Sequence, residues 1–159
     1  MNVVDLMSGE VVTVSEESSI SRARRLLTQR GISALPVVNG AAQLVGIVSS
    51  RDFLGVQPGE ERVPVRKLMH RRVHTISAEV DVGQLAHAMG EQGIHHAVVV
   101  EGKSVRGIVS SLDLLRALGT PTPAGEQLEM GAEASVDLEE SGFTLLDSSP
   151  ASDSASHDE

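Results

Sequence analysis

The chain states one pattern twice, and that repetition limits what it can fold into more than any other feature. Residues 3–54 recur at 65–115, each copy ending in the same heptad: Gly46-Ile47-Val48-Ser49-Ser50-Arg51-Asp52 and Gly107-Ile108-Val109-Ser110-Ser111-Leu112-Asp113. The register holds at an offset of 62 from Leu6/Leu68 to Gly40/Gly102 and is 61 thereafter, a one-residue deletion in a short turn. Two copies of this length predict two supersecondary units packed on each other rather than an open array. They also predict two related sites.

Each copy reads alike. A lead-in holding Leu6-Met7 or Leu68-Met69 precedes a short strand at 11–14 or 73–76. A helix follows, with Ile20, Ala23 and Leu27, or Val82, Leu85 and Met89, spaced to face inward. Ser19 and Asp81 suit its N-cap, Gly31 and Gly93 its end. Two strands joined by a tight turn come next, at 35–38 and 44–49 and again at 97–100 and 105–110, with Gly40 and Gly102 serving the turns. A second helix starts at Ser50 and at Ser111. The expected fold is α+β: two β-α-β-β-α repeats, residues 1–58 and 59–119, packed as one module with pseudo-two-fold symmetry. One repeat alone is too small for an ample core, whereas pairing two sheets buries their apolar faces.

Charge divides the chain differently. Residues 1–119 carry 13 Lys and Arg against 12 Asp and Glu, whereas 120–159 carry ten acids and no Lys or Arg. With its Pro, Gly and Ser content, segment 120–159 is expected to be a disordered, solubilising tail that contributes little to any ligand site. Leu138 and the run 143–146 are its one weak apolar spot, enough for transient docking. The chain has no cysteine, which excludes a disulfide framework, a thiol nucleophile and a Cys-ligated metal. No signal-peptide pattern opens it, and no apolar run approaches the roughly 20 residues that span a bilayer. A cytoplasmic protein without membrane contact is expected.

The paired heptads resemble the signature of cystathionine-β-synthase (CBS) domains, and so do the segments 31–38 and 93–100. Such domains occur in tandem and fold together as a Bateman module; the resemblance spans residues 1–119 and leaves the tail outside. It implies a stand-alone regulatory module without enzymatic activity. Its ligand would be an adenosyl small molecule (AMP, ADP, ATP or S-adenosylmethionine) held in clefts between the repeats. That ligand is regulatory, and no obligate cofactor is implied. The family also implies a homodimer built through helical faces, and a protein partner whose identity is open.

The heptad's chemistry suits that ligand. Ser49 and Ser110 end an apolar strand where a helix begins, so their hydroxyls and the free amides of the first turn can meet an anion. Asp52 and Asp113 lie three residues on, on the same side, where a carboxylate can accept two hydrogen bonds from a ribose diol. By resemblance, Thr13 and Thr75 would frame the base, with the backbone of Ile32, Ala34, Ile94 and their neighbours. His95, His96 and Arg51 are the candidates for phosphate, and the basic stretch Arg66, Lys67, His70, Arg71 and Arg72 could close over it or equally form a solvated surface. The sites are unequal by composition, since Arg51 is matched by Leu112 and Ser33-Ala34 by His95-His96.

Competing readings remain open. Serine followed three residues later by an acid at a helix start is also a capping box and needs no ligand. A structural dimer is therefore the second reading. Nucleic-acid binding is a weak third, because residues 1–119 are near neutral and the chain has only two aromatics, Phe53 and Phe143. No catalytic set stands out, and adjacent His95-His96 without cysteine or a spaced carboxylate is poor metal chemistry.

Overall fold

Both long helices start and stop on the residues that the sequence marks. The computed structural model of the protein describes residues 1–7, 10–119 and 143–149. Helix α1 (Ile20–Arg30) is capped by Ser19, whose hydroxyl accepts from the Arg22 amide. Helix α2 (Val82–Gln92) is capped by Asp81, whose carboxylate accepts from the amides of Gly83 and Gln84. These bonds satisfy donors that a first helical turn leaves without intrahelical partners. Gly31 and Gly93 end the helices at φ 62, a left-handed conformation that costs glycine nothing. The stripes Ile20, Ala23, Leu27 and Val82, Leu85, Met89 are all buried, as their spacing predicts.

Two sheets carry the repeat. The first has the order β1-β2-β3, from β1 (Val14–Ser15), β2 (Ala34–Val38) and β3 (Leu44–Ser49). The second has the order β6-β5-β4-β7, from β4 (Arg72–Ile76), β5 (His96–Glu101), β6 (Ser104–Ser110) and β7 (Phe143–Asp147). In each, the first strand of the repeat runs parallel to the second, and the second and third form an antiparallel hairpin. The hairpins slip register at matching places, Val37/Val38 and Val99/Val100. Helix α3 (Ser111–Leu118) closes the second repeat.

The structure departs from the sequence reading in four places. The strand expected at 11–14 shrinks to Val14–Ser15, pairing only Val14 with Val37 and Ser15 with Val38. In the first hairpin turn the positive φ falls on Ala42 (58°) and not on Gly40, whereas Gly102 takes it (60°) in the second. The longer first loop moves the reversal two residues along. At Ser50 there is no α-helix but a 3-10 helix, Ser50–Gly55. Gly55 and Pro58 follow too soon for α-helical bonds to propagate. The tail differs too: residues 120–142 and 150–159, including Leu138, lie outside the described residues, but 143–147 form a strand rather than a disordered segment. Strand β7 pairs antiparallel with β4, Leu146 opposite Val73 and Thr144 opposite Thr75. Leu146 packs against Leu44, Val73 and Val98, and the Ser148 hydroxyl reaches the carbonyls of Val45 and Arg71. The open edge of β4 offers a row of backbone partners, and a short apolar run is the kind of segment that fills it.

The two repeats exchange their lead-ins. Val3, fully buried, packs with Val82, Leu85, Ala97 and Val109 in the second repeat's core. Val65, equally buried, packs with Ile20, Ala23, Leu35 and Val48 in the first. The hydrogen bonds match at the offset of 62: Val3 N–H to Val80 O (2.9 Å) and Val4 N–H to Ala78 O (2.9 Å) answer Val65 N–H to Ser18 O (2.7 Å) and Arg66 N–H to Glu16 O (3.0 Å). Behind each lead-in a methionine lies on a heptad glycine. A Cβ on Gly46 would stand 2.6 Å from Met69 Sδ and 2.9 Å from the His70 carbonyl oxygen, and one on Gly107 3.0 Å from Met7 Sδ.

Gly46→Ala is therefore expected to lower unfolding free energy by about 1–3 kcal/mol in urea titrations, the usual cost of overpacking. Gly40→Ala, with nothing within 4 Å of its Cβ, should stay within about 0.5 kcal/mol of the parent. Equal losses at the two positions would overturn the close-approach account.

Candidate functional site

The heptad serines and aspartates form capping boxes, and each box consumes one carboxylate oxygen. Asp52 Oδ2 accepts from the Ser49 amide (2.6 Å) and hydroxyl (3.0 Å). Asp113 Oδ2 accepts from the Ser110 amide (2.8 Å) and hydroxyl (2.6 Å), and the Asp113 amide donates back to Ser110 Oγ at 3.2 Å. The carboxylates are thereby oriented, each with an Oδ1 left over. Asp52 Oδ1 is met by His70 Nε2 at 2.7 Å. No partner among the described residues meets Asp113 Oδ1.

Each aspartate faces the other repeat. A cleft of about 500 Å³ sets Ser110, Asp113 and Arg116 of the second repeat against Ile32, Ser33, Ala34 and Ser50 of the first, with His96 on its wall. A smaller one, about 250 Å³, sets Ile47, Ser49 and Asp52 of the first repeat against Ile94, His95 and His96 of the second, with His70, Arg72 and His74. A depression of about 300 Å³ lies along the same seam, lined by Arg51, Ser33, Ser49, Ser50, His95 and His96. His96 binds the seam together, its Nε2 lying 2.9 Å from Ser33 Oγ. The larger cleft is of a size that holds small organic ligands. A further cleft of about 470 Å³, beside Met7, Glu79 and Arg106, contains none of the candidate residues.

The seam thus gathers Ile32, Ala34, Ser49, Arg51, Asp52, Ile94, His95, His96, Ser110 and Asp113. It does not gather Thr13 or Thr75, which line none of these spaces. Thr75 is 6% exposed, and its hydroxyl donates to the Thr144 carbonyl at 3.1 Å, so the tail strand lies against a residue assigned to the base. Of the basic stretch, only His70 and Arg72 reach the cleft, while Arg66 pairs with Glu17. The sequence reading left Arg116 out, although three residues after Asp113 on a helix is the spacing that puts two side chains on one face.

Burial lowers the proton affinity of two imidazoles here. His96 is shifted down first by desolvation and then by repulsion from His95, with Asp113 opposing. His74 is shifted down by desolvation and by Arg72. Such groups are hydrogen-bonding imidazoles at neutral pH, and a bound anion would favour their protonation. Among the described residues no group of three or more His, Cys, Asp or Glu could hold a metal ion.

The lowered histidines also fix a pH dependence. Below the ordinary histidine value of about 6.5 the unfolded chain binds more protons than the folded one, so stability rises with pH through that range. Their contribution is fully present above that value and is lost as pH falls through the lowered ones. Urea midpoints measured from about pH 8 to about pH 5.5 should be level at first and then fall, and His96→Gln should flatten the fall. A midpoint independent of pH there would contradict the burial account.

The family model described as CBS domain matches residues 3–59 and again 65–120. An uncharacterised protein of Methanocaldococcus jannaschii is 31% identical over 152 residues, covering 86% of this chain and 34% of that protein. The inosine-5′-monophosphate dehydrogenase of Korarchaeum cryptofilum is 35% identical over 106 residues, covering 66% of this chain and 22% of the enzyme. The chain therefore spans about a third or less of the length of these curated relatives. Among solved structures, a CBS domain pair crystallised with 5′-methylthioadenosine and S-adenosyl-L-methionine superposes with a TM-score of 0.68 at 30% identity, over 75% of this chain and 96% of the other. No helix among the described residues is long and apolar enough to cross a membrane. Matched in both copies, with each copy's heptad aspartate set against the other copy in a cleft, the chain belongs to the CBS domain family as a tandem pair.

Proposed function

We propose that this CBS pair is a non-catalytic regulatory module that binds an adenosyl ligand (AMP, ADP, ATP or S-adenosylmethionine) in the seam between its repeats. One observation carries the reading: Asp113, held by its capping box with Oδ1 uncommitted among the described residues, faces the Ile32–Ala34 backbone across a cleft of about 500 Å³. In this reading a ribose diol donates to Asp113, the base lies along 32–34, and phosphates meet Arg116 and His96. The ligands of the related CBS pair, methylthioadenosine and S-adenosylmethionine, support the adenosyl class. Residues from both repeats line the cleft, so ligand affinity depends on the angle between them. Occupancy then selects one angle and changes a surface read by a protein partner in the cytoplasm.

The same reading includes a homodimer. An apolar groove between α2 and α3, lined by Ala86, Met89, Leu114, Leu115 and Leu118, leaves Leu115 67% and Leu118 63% exposed. Two copies that cover these faces remove the largest cost of leaving them in water. A ligand-free structural dimer is the second reading, favoured by the capping boxes, which satisfy Ser and Asp without any ligand.

Calorimetric unfolding tests the ligand, since the chain lacks Trp and Tyr for fluorescence. A true ligand at about 100 times its dissociation constant stabilises by about 2.7 kcal/mol, a rise of roughly 5–10 °C. Asp113→Ala should abolish that rise for the large cleft. No shift with any of the four ligands would favour the structural dimer. For the dimer, Leu115→Glu with Leu118→Glu should give a monomer by light scattering, and an unchanged mass would remove the groove from the interface.

A further inference from the structure

The two capping-box aspartates are equivalent in the repeat and unequal in their surroundings. Asp52 Oδ1 is engaged by His70 Nε2 at 2.7 Å, with the Asp52 side chain 13% exposed and that of His70 66%. At the offset of 62, the counterpart of His70 is Ser8, which carries no imidazole, and Asp113 Oδ1 has no partner among the described residues. His70 is placed by its backbone, which exchanges two 2.9 Å hydrogen bonds with Ile47: His70 N–H to Ile47 O and Ile47 N–H to His70 O. The main chain is fixed while the imidazole, mostly in solvent, is able to rotate away.

On the reading that a ribose binds these aspartates, the diol needs the oxygen that His70 occupies. Displacing the imidazole removes a charge-assisted hydrogen bond, among the stronger kinds a protein makes. Its loss is offset when the ligand supplies another anion within reach of the released ring. Arg72 lines the same cleft and offers a guanidinium to a phosphate, with the imidazoles of His95 and His96 beside it. We infer that His70 is a specificity latch: the Asp52 cleft admits phosphorylated nucleosides and rejects neutral ones, while the unlatched Asp113 cleft accepts both. A ligand must bring the diol and the negative charge together to open it. His70 then passes from the aspartate to the phosphate, and ribose recognition is tied to charge recognition at this end of the seam.

Titration calorimetry of the full chain with ATP and, separately, with 5′-methylthioadenosine reads the latch as a stoichiometry. The parent should bind two ATP per chain and one methylthioadenosine. His70→Ala, an exposed side chain whose loss spares the core, should bind two of each. The second methylthioadenosine site should tighten by about tenfold or more, the worth of a hydrogen bond to a charged group. Asp52→Ala in the His70→Ala background should remove that second site. If His70→Ala leaves the methylthioadenosine stoichiometry and affinity unchanged while ATP binds, the latch is wrong and adenosyl binding stands. Absence of binding by both compounds to the parent and to His70→Ala alike overturns the adenosyl reading and the latch with it.

Discussion

The exchange of lead-in segments holds the rest of the structure in place. Val3 completes the core of the second repeat and Val65 that of the first, so neither core closes without residues from the other copy's lead-in. The methionines behind them, Met7 and Met69, lie close on Gly107 and Gly46: an added methyl group would overlap Met69 and the His70 carbonyl at Gly46 and press on Met7 at Gly107. Those glycines open the two heptads. The lead-ins thus press on the same heptads that carry Asp52 and Asp113.

Symmetry makes two sites, and local sequence makes them different. The same strand-to-helix corner orients both aspartates through the same capping bonds. Beyond that corner, Arg116 follows Asp113 on an α-helix, whereas the first repeat has only a 3-10 stretch after Asp52. His70 and Arg72 flank Asp52, whereas Ser8 and Glu10 stand at the matching positions of the first lead-in. Strand β7 adds to the inequality: among the described residues it extends only the second sheet and engages Thr75, while Thr13 has no such neighbour strand. An evolving tandem repeat can keep one frame and give each cleft its own chemistry, because side chains lining a cleft contribute little to the core behind it.

Much of the fold was legible because its signals are local. N-caps at Ser19 and Asp81, left-handed glycines at 31 and 93, and the three-four spacing of buried residues in α1 and α2 follow from backbone chemistry within a few residues. The heptad serines and aspartates were legible for the same reason. Where the reading went astray, a competing local force prevailed: the Gly55 and Pro58 stop turned a helix into a 3-10 segment, and a longer loop moved the positive φ from Gly40 to Ala42. The strand at 143–147 was hidden because its partner, the edge of β4, lies about seventy residues away in sequence.

By itself, then, the sequence determined that two units of one kind form, which faces they bury, and which corner of each carries a serine and an aspartate. Those properties depend on periodicity, capping and turn chemistry, which act over one or two helical turns. Tertiary structure decided which lead-in fills which core, that each aspartate looks onto the other repeat, that His70 meets Asp52 while Asp113 keeps an oxygen uncommitted among the described residues, and that part of an acidic tail adds a strand. These are contacts between segments far apart along the chain. Their energies depend on which surfaces remain open after the local units have formed, and no short window of sequence contains that information.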